Sequence, residues 1–415
     1  MNKKKLIIVG GGISGLVAAR ELVADYQIIL LEALPRFGGR IHTISSEAFP
    51  RAIEAGAEFV HGDAEQTIKL LHEAGIGFVK TGGESYHRED QKLVKGEEHD
   101  DPSWDLLIEK MGSLAQDITL MELLDLHFKT GFDELRERAI TFAEGFDLAD
   151  VTKVSVKSLY QEWAHQGEDY RISGGYGQLI DFLVADCRKR GVTLITDANV
   201  KKLLWKEGHV QVFSENHPVY EADRCLITLP LGILQSESQR PVFVPPIAQY
   251  TEAFHQIGFG SVIKFILAFH KPFWEHDASF FFSSEEIPTW WTQFPEQLPL
   301  LTGWAGGSKA IELSTFNQEE LLEKALHSLS VIFNLSLAEI KAQLSSWQVF
   351  NWKEEKTFSG AYSYSTTTTA AVLEILRQPI QNTLFFAGEA LYSGHTPGTV
   401  EAAIVSAIQA VNQLG

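Results

Sequence analysis

Short apolar runs and helical periodicities alternate along this chain. Leu6–Val9 is a compact apolar run, Ile13 to Ala24 repeats apolar residues at helical spacing, and Gln27–Leu31 is a second apolar run. That order predicts a β-α-β unit at the N-terminal end. From Ala64 to Glu144 the pattern is mainly helical, with Ile68, Leu70 and Leu71 on one face and Gly75 as a stop signal. A charged stretch between Gly82 and Pro102 interrupts it and is expected to be a solvated surface loop. Strand patterns return from Val192 to Thr228: Val210-Gln211-Val212 alternates, and Cys225-Leu226-Ile227-Thr228 is an apolar run closed by Pro230. A second β-rich zone spans Val262 to Trp304 and carries Phe280-Phe281-Phe282 and Trp290-Trp291. Gln318 to Phe333 is helical, and the chain closes on strand (Leu384–Phe386), glycine turn and helix (Val400–Val411). α/β blocks thus stand at the start, middle and end, separated by insertions. The expected architecture is one discontinuous α/β domain of residues 1–62, 171–245 and 357–415. The second domain is expected to be α+β, with a mixed sheet and helices, from residues 63–170 and 246–356.

Composition narrows the classes. Hydrophobic residues make up 45 % and charged residues 21 % of 415, a globular balance long enough for a large core. No apolar stretch reaches transmembrane length, and MNKKK runs into a strand rather than a signal-peptide core. Cytoplasmic residence is the default expectation. The cysteines, Cys187 and Cys225, sit among apolar neighbours and suit a reducing compartment. A net charge of −19 argues against nucleic acid or an anionic membrane surface as partner. No H-E-x-x-H spacing or G-x-S-x-G elbow appears, so neither a metal site nor a serine nucleophile is expected.

Gly10-Gly11-Gly12-Ile13-Ser14-Gly15 satisfies G-x-G-x-x-G between the first strand and helix. Gly10 suits a tight turn, Gly12 lets backbone approach a pyrophosphate, and Gly15 lets helix pack closely on strand. Ile13 and Ser14 open the helix, whose N-terminus favours phosphate. The second strand ends in Glu32, the acid expected on ribose hydroxyls. This is a Rossmann-like dinucleotide fingerprint in its proper context. Arg36, Gly38, Gly39 and Arg40 follow as R-x-G-G-R and offer a second clamp on a pyrophosphate.

Glu32 through Arg40 resembles E-x-x-x-R-x-G-G-R of the flavin amine oxidase family, which includes monoamine oxidases, polyamine oxidases and lysine-specific histone demethylases. Further blocks are similar across nearly the whole chain. Gly56-Ala57-Glu58-Phe59-Val60-His61-Gly62 resembles the segment that passes the flavin, and its His-Gly ending is closest to polyamine oxidases. Gly174–Leu179 and Ala222–Leu234 resemble two internal blocks, and Val200 falls where the family's backbone meets adenine. Phe385-Phe386-Ala387-Gly388-Glu389 matches F-x-A-G-E, whose Glu contacts the ribitol and pyrophosphate region. Gly398-Thr399-Val400-Glu401-Ala402-Ala403 resembles the turn that aims a helix N-terminus at the flavin.

The resemblance implies FAD as cofactor, a small-molecule amine as substrate and oxygen as acceptor. The amine would lose hydride to flavin N5 and become an imine; reoxidation by oxygen would yield hydrogen peroxide. Lys264, inside the apolar run Val262–Phe265, reads by itself as either an edge-strand lysine or a functional one; the resemblance gives it the place of the lysine that holds a water at N5. Tyr362 takes the place of one wall of an aromatic cage. Ala361 stands where covalently flavinylated members carry cysteine, implying non-covalent FAD. Thr399 stands at the second cage wall, leaving room for a bulkier or secondary amine. His61 either lines the substrate channel or is structural. Glu58, where better-known members carry a neutral residue, either offers a carboxylate to the second ammonium of a diamine or polyamine or points away. Trp290, Trp291 and Trp304 either line the channel or, as the better reading for each, pack in the core. Oxidation of a protoporphyrinogen, carotenoid or L-amino acid, and a flavin-holding module without turnover, remain as other readings.

Overall fold

Leu6 and Ile8 face one side of their strand and Ile7 and Val9 the other, and all four are buried. Burial on both faces is what the centre of a parallel sheet requires. The structure, a computed structural model, describes residues 3–89, 92–96, 102–165 and 167–415. In it Lys4–Val9 is the middle of a five-stranded parallel sheet in the order Thr193–Ile195, Tyr26–Leu31, Lys4–Val9, Arg224–Ile227, Leu384–Phe386. Strands from the start, middle and end of the chain therefore make one sheet, as the blockwise pattern predicts. Leu6 and Ile8 pack under helices Ile13–Leu22, Gly177–Lys189 and Val400–Leu414. Ile7 and Val9 pack on the other side against the sheet containing Val200–Lys206 and His209–Ser214 and helices Ala248–Phe254 and Thr369–Leu376.

The second layer system is a seven-stranded mixed sheet. Its order is Leu344–Asn351, Val262–Phe269, Leu300–Gly306, Thr289–Trp291, Ala278–Phe282, Glu84–Glu89, Lys92–Lys95. Only the pairing of Ala278–Phe282 with Glu84–Glu89 is parallel. This corrects the expected loop at Gly82–Pro102: Lys92–Lys95 is the edge strand of the sheet and Glu84–Glu89 the strand beside it, and residues 90–91 and 97–101 lie outside the described residues. Charged side chains are what an exposed sheet edge tolerates, which is why the sequence pattern mimics a loop. Helices Pro102–Gly112, Leu120–His127, Asp133–Gly145 and Val156–Trp163 pack around Trp104, Leu107, Leu123 and Leu124. Among the described residues no helix is long and apolar enough to cross a membrane.

The layers are tied by the helices at the two chain ends. Ser14 Oγ donates to the Ala403 carbonyl at 2.7 Å, and the Tyr26 hydroxyl donates to the Leu414 carbonyl at 2.7 Å. Glu401 accepts the backbone N–H groups of Gln66 and Thr67, supplying the cap that helix Glu65–Ala74 lacks from its own N-cap residue, Ala64.

Candidate active site

The glycine loop separates packing from access. A Cβ on Gly15 would lie 2.0 Å from the Gly10 carbonyl oxygen, whereas one on Gly12 would meet nothing within 4 Å. Gly15 therefore serves close helix–strand contact, and Gly12 faces open space at the N-cap of Ile13–Leu22. No side chain caps that helix, leaving its first-turn N–H groups, those of Ile13 and Ser14 among them, without a side-chain acceptor. Gly388 likewise faces open space, with φ +147°. A backbone cradle of this kind fits the pyrophosphate of a dinucleotide. Glu32 is buried and accepts the N–H groups of Gly11 at 2.6 Å and Leu34 at 2.8 Å. Burial pushes its carboxyl up despite these bonds and the charge of Arg36. Val200 follows Ala198, whose N–H donates to the Glu32 carbonyl at 2.8 Å, so it borders the same end of the sheet.

The R-x-G-G-R segment is laid directly on that loop. The Gly38 N–H donates to the Gly11 carbonyl at 2.9 Å, and Gly39 lies with its Cβ direction 3.3 Å from Gly12 Cα. Arg36 donates to the Ile41 carbonyl at 3.2 Å, stiffening its own turn. Arg40 Nη1 reaches the Ala361 carbonyl at 2.7 Å and Glu389 Oε1 at 2.8 Å. Glu389 is buried and its other oxygen accepts the Ser363 hydroxyl at 2.6 Å. Arg40, Ala361 and Glu389, far apart in sequence, are thus one clamp. Backbone contact continues through Ala57 N–H to the Arg40 carbonyl at 3.2 Å, and a Cβ on Gly56 would stand 1.8 Å from that same oxygen.

Lys264 sits on Val262–Phe269, a strand whose every residue is buried. Its Nζ donates to Glu58 Oε2 at 2.7 Å and to the Gly56 carbonyl at 3.1 Å. Glu58 Oε1 accepts Trp291 Nε1 at 3.0 Å and lies 3.4 Å from Arg171 Nη2. Burial alone would push the Glu58 carboxyl up; the charges of Lys264 and Arg171 and the bonds from Lys264 and Trp291 overcome it and hold it at about 2. Its neighbour Glu54 behaves oppositely: burial pushes it up to about 7, against hydrogen bonds from Thr43 and Tyr176. Glu58 is thus bonded inside the protein, to Lys264 and Trp291, with Arg171 beside it. Trp291 and Arg171 were not legible as partners because they come from strands remote in sequence; an unpaired lysine in an apolar run was the one available signal.

Tyr362 stacks on Trp304, with centroids 6.4 Å apart and planes at 26°, and its hydroxyl donates to the Phe146 carbonyl. Trp304 is itself pinned by Nε1 to the Gly145 carbonyl at 2.8 Å. Its ring also borders Trp291 at 6.0 Å, so Lys264's cluster and Tyr362 are joined by aromatic contact. Trp290, in contrast, is wholly buried core. Thr399 is a helix cap: its hydroxyl accepts the Ala402 N–H at 3.1 Å and donates to the Thr396 carbonyl at 2.8 Å, and Val400 begins the helix. His61 is half-buried, with Nδ1 3.1 Å from Asp169 Oδ1 and its ring edge-on to Phe146 at 6.2 Å.

Sequence reasoning missed a carboxyl pair behind Tyr362. Asp147 is buried and accepts Trp163 Nε1 at 3.0 Å, and Glu162, on helix Val156–Trp163, is its charged neighbour. Burial pushes Asp147 up to about 7, and burial plus the Asp147 charge pushes Glu162 well up. Burial, then the charges of Asp147, Glu162 and Glu389, also raises Tyr362. A raised folded-state carboxyl stabilises below its ordinary range, and that contribution is lost as pH rises through about 7. Asp147→Asn is therefore expected to gain on the parent as pH rises from about 4.5 to about 8, by on the order of 2 kcal/mol, in urea unfolding at each pH. A gap that stays constant with pH contradicts the raised Asp147 carboxyl.

Comparison with known proteins bears on these residues together. A family model described as flavin-containing amine oxidoreductase matches residues 13–415. Polyamine oxidase 2 of Arabidopsis thaliana is 26% identical over 98% of this chain and 86% of its own length. The lysine-specific histone demethylase 1B of Mus musculus is 26% identical over 100% of this chain but only 53% of its own. A putrescine oxidase solved with putrescine superimposes with a TM-score of 0.83 at 19% identity, covering 99% of both chains. Cyclohexylamine oxidase from Brevibacterium oxydans IH-35A gives 0.81 at 20%, covering 99% of this chain and 98% of its own. At those identities the structural matches establish the fold. Among the described residues no group of three or more His, Cys, Asp or Glu could hold a metal ion.

Proposed function

The chain belongs to the flavin-containing amine oxidoreductase family, and from that premise we propose how its residues divide the work. The protein is an FAD-dependent oxidoreductase that acts on amines, with oxygen as acceptor and FAD held non-covalently. Bound FAD supplies the two-electron acceptor for hydrogen from the amine's α-carbon and passes the electrons on to oxygen, giving hydrogen peroxide.

The chain's own residues bind and orient. Gly10, Gly12, Ile13, Ser14 and Gly15 offer the helix N-terminus to the pyrophosphate, Glu32 and Val200 border the nucleoside, and Arg36, Gly38, Gly39 and Arg40 close over the phosphates with Gly388 and Glu389. Gly56, Ala57 and Glu58 carry the backbone past the ring system, and Thr399 and Val400 present the second helix N-terminus to it. Tyr362 and Trp304 give the amine an aromatic face, and His61 borders the approach. Lys264 holds a proton at Nζ beside the reacting centre. The domain division at 62/63, 170/171, 245/246 and 356/357 belongs to the same proposal, as does cytoplasmic residence, which the free, buried Cys187 and Cys225 support.

The observation that carries this reading is Lys264. A charged lysine costs several kcal/mol to bury and is retained where its charge has work to do. The substrate we propose is an amine with more than one amino group. The stacked rings of Tyr362 and Trp304 favour a cation beside them, and a polyamine oxidase and a putrescine oxidase are among the proteins the chain resembles. Peroxide release from aerobic protein given monoamines, diamines and triamines is the test. Higher kcat/KM for the diamines and triamines is expected; equal or better turnover of monoamines overturns the substrate class.

A further inference from the structure

Lys264 is not simply a lysine near a site; it is held. Its ammonium donates to Glu58 Oε2 and to the Gly56 carbonyl, and lies 5.5 Å from the Trp291 ring centroid on the ring face. Glu58 is held in turn by Trp291 Nε1 and by Arg171. Arg171 is anchored to the Phe294 carbonyl at 2.9 Å and the Thr292 carbonyl at 3.1 Å, with its guanidinium 4.9 Å over the Phe59 ring. The carboxylate therefore cannot swing away, and the lysine cannot follow another partner. A buried Lys–Glu pair is commonly no more stabilising than apolar residues of the same volume. On a strand that is otherwise apolar along its whole length, its presence calls for another explanation than stability.

We propose that Glu58 is the positioning residue of Lys264: it fixes the ammonium so that two of its three N–H bonds are spent on protein acceptors and the third is left for the reaction site. The charged groups around Lys264 are Glu58, Glu54 and Arg171, with Arg51 and Glu296 beyond Arg171. Glu54 keeps its proton up to about 7, so Glu58 is the carboxylate that balances the lysine over the working range. The inference rests on the proposed place of Lys264 beside FAD.

The test compares Glu58→Gln, Lys264→Met and the double variant as FAD-loaded proteins. The readouts are the flavin midpoint potential and the rate of reoxidation by oxygen after reduction with dithionite. Dithionite replaces the amine, so the role of Glu58 is tested even in a protein that no amine reduces. Lys264→Met removes a positive charge and shifts the potential negative. Glu58→Gln removes a negative charge, and acting through space alone it would shift the potential positive. The positioning role predicts the opposite sign: Glu58→Gln shifts it negative, as Lys264→Met does, and slows reoxidation by about tenfold. In the Lys264→Met background no lysine is left to position, so adding Glu58→Gln no longer shifts the potential negative, since neighbours acting as a unit are not additive. A positive shift, no shift, or additive effects in the double variant overturns the proposal. An unchanged potential in Lys264→Met overturns it too, by removing the lysine from the flavin. If Glu58→Gln does not fold, Glu58→Asp decides: it keeps the charge but withdraws the carboxylate from Lys264, so a negative shift with slower reoxidation supports positioning and an unchanged potential overturns it.

Discussion

Gly15→Ala is expected to purify without FAD and to be less stable even as apoprotein. The new Cβ would stand 2.0 Å from the Gly10 carbonyl and 3.1 Å from Thr228 Oγ1. Neither neighbour can yield. Gly10 is backbone with φ +114°, and Thr228 Oγ1 is bonded to the Val9 and Gly10 carbonyls at 3.1 and 2.9 Å. Relief requires the helix Ile13–Leu22 to lift from its strand, which also pulls on the Ser14–Ala403 bond to the closing helix. Overpacking of this kind costs roughly 1–3 kcal/mol, and the displaced helix N-terminus no longer meets the phosphates. Gly12→Ala is the contrast, because its Cβ meets no protein atom within 4 Å. It is expected to leave apoprotein unfolding unchanged and to weaken FAD binding alone. Urea unfolding of the stripped proteins, beside FAD titration, checks both. A Gly15→Ala protein that holds FAD like its parent contradicts the assignment of the loop.

Arg40→Met is expected to be the most damaging single change of a charged residue in the cradle. Arg40 is the cationic partner of Glu389, whose side chain is 4 % exposed. Without it Glu389 keeps only the Ser363 hydroxyl and a weak contact from the Ser363 N–H at 3.4 Å. Breaking a buried pair from one side costs about 3 kcal/mol or more. The same arginine also joins the Ala361 carbonyl to the clamp, so FAD affinity falls with stability. Adding Glu389→Gln removes the stranded charge and is expected to recover a large part of the stability but not the affinity. Equal urea midpoints for Arg40→Met and the parent contradict the clamp.

What the sequence made legible were features whose signal is local. The strand–glycine loop–helix–strand unit is visible in four consecutive segments, because tight turns and close helix packing demand glycine at fixed spacing. Buried parallel strands are visible as apolar runs. Features set by distant partners were hidden. Glu84–Glu89 reads as a polar loop, and its pairing with Ala278–Phe282 and Lys92–Lys95 makes it a strand. Glu58 was ambiguous between binding a substrate ammonium and pointing away, since Trp291 and Arg171 are brought to it by strand pairing across the chain. Asp147 and Glu162 belong to separate segments and meet only when the helices of the insertion pack. Thr399 marks the limit of resemblance: its place in the motif is clear, yet its hydroxyl is spent on capping its own helix.

The measurement that bears most directly on the central claim is anaerobic reduction of the bound flavin, followed by loss of its visible absorption. Spermine, spermidine, their acetylated forms, diamines and monoamines are compared with L-amino acids and a porphyrinogen. Rapid bleaching by amines, fastest with those carrying more than one amino group, is the predicted result. A yellow protein that no amine bleaches, or one bleached by amino acids or a porphyrinogen alone, would contradict it.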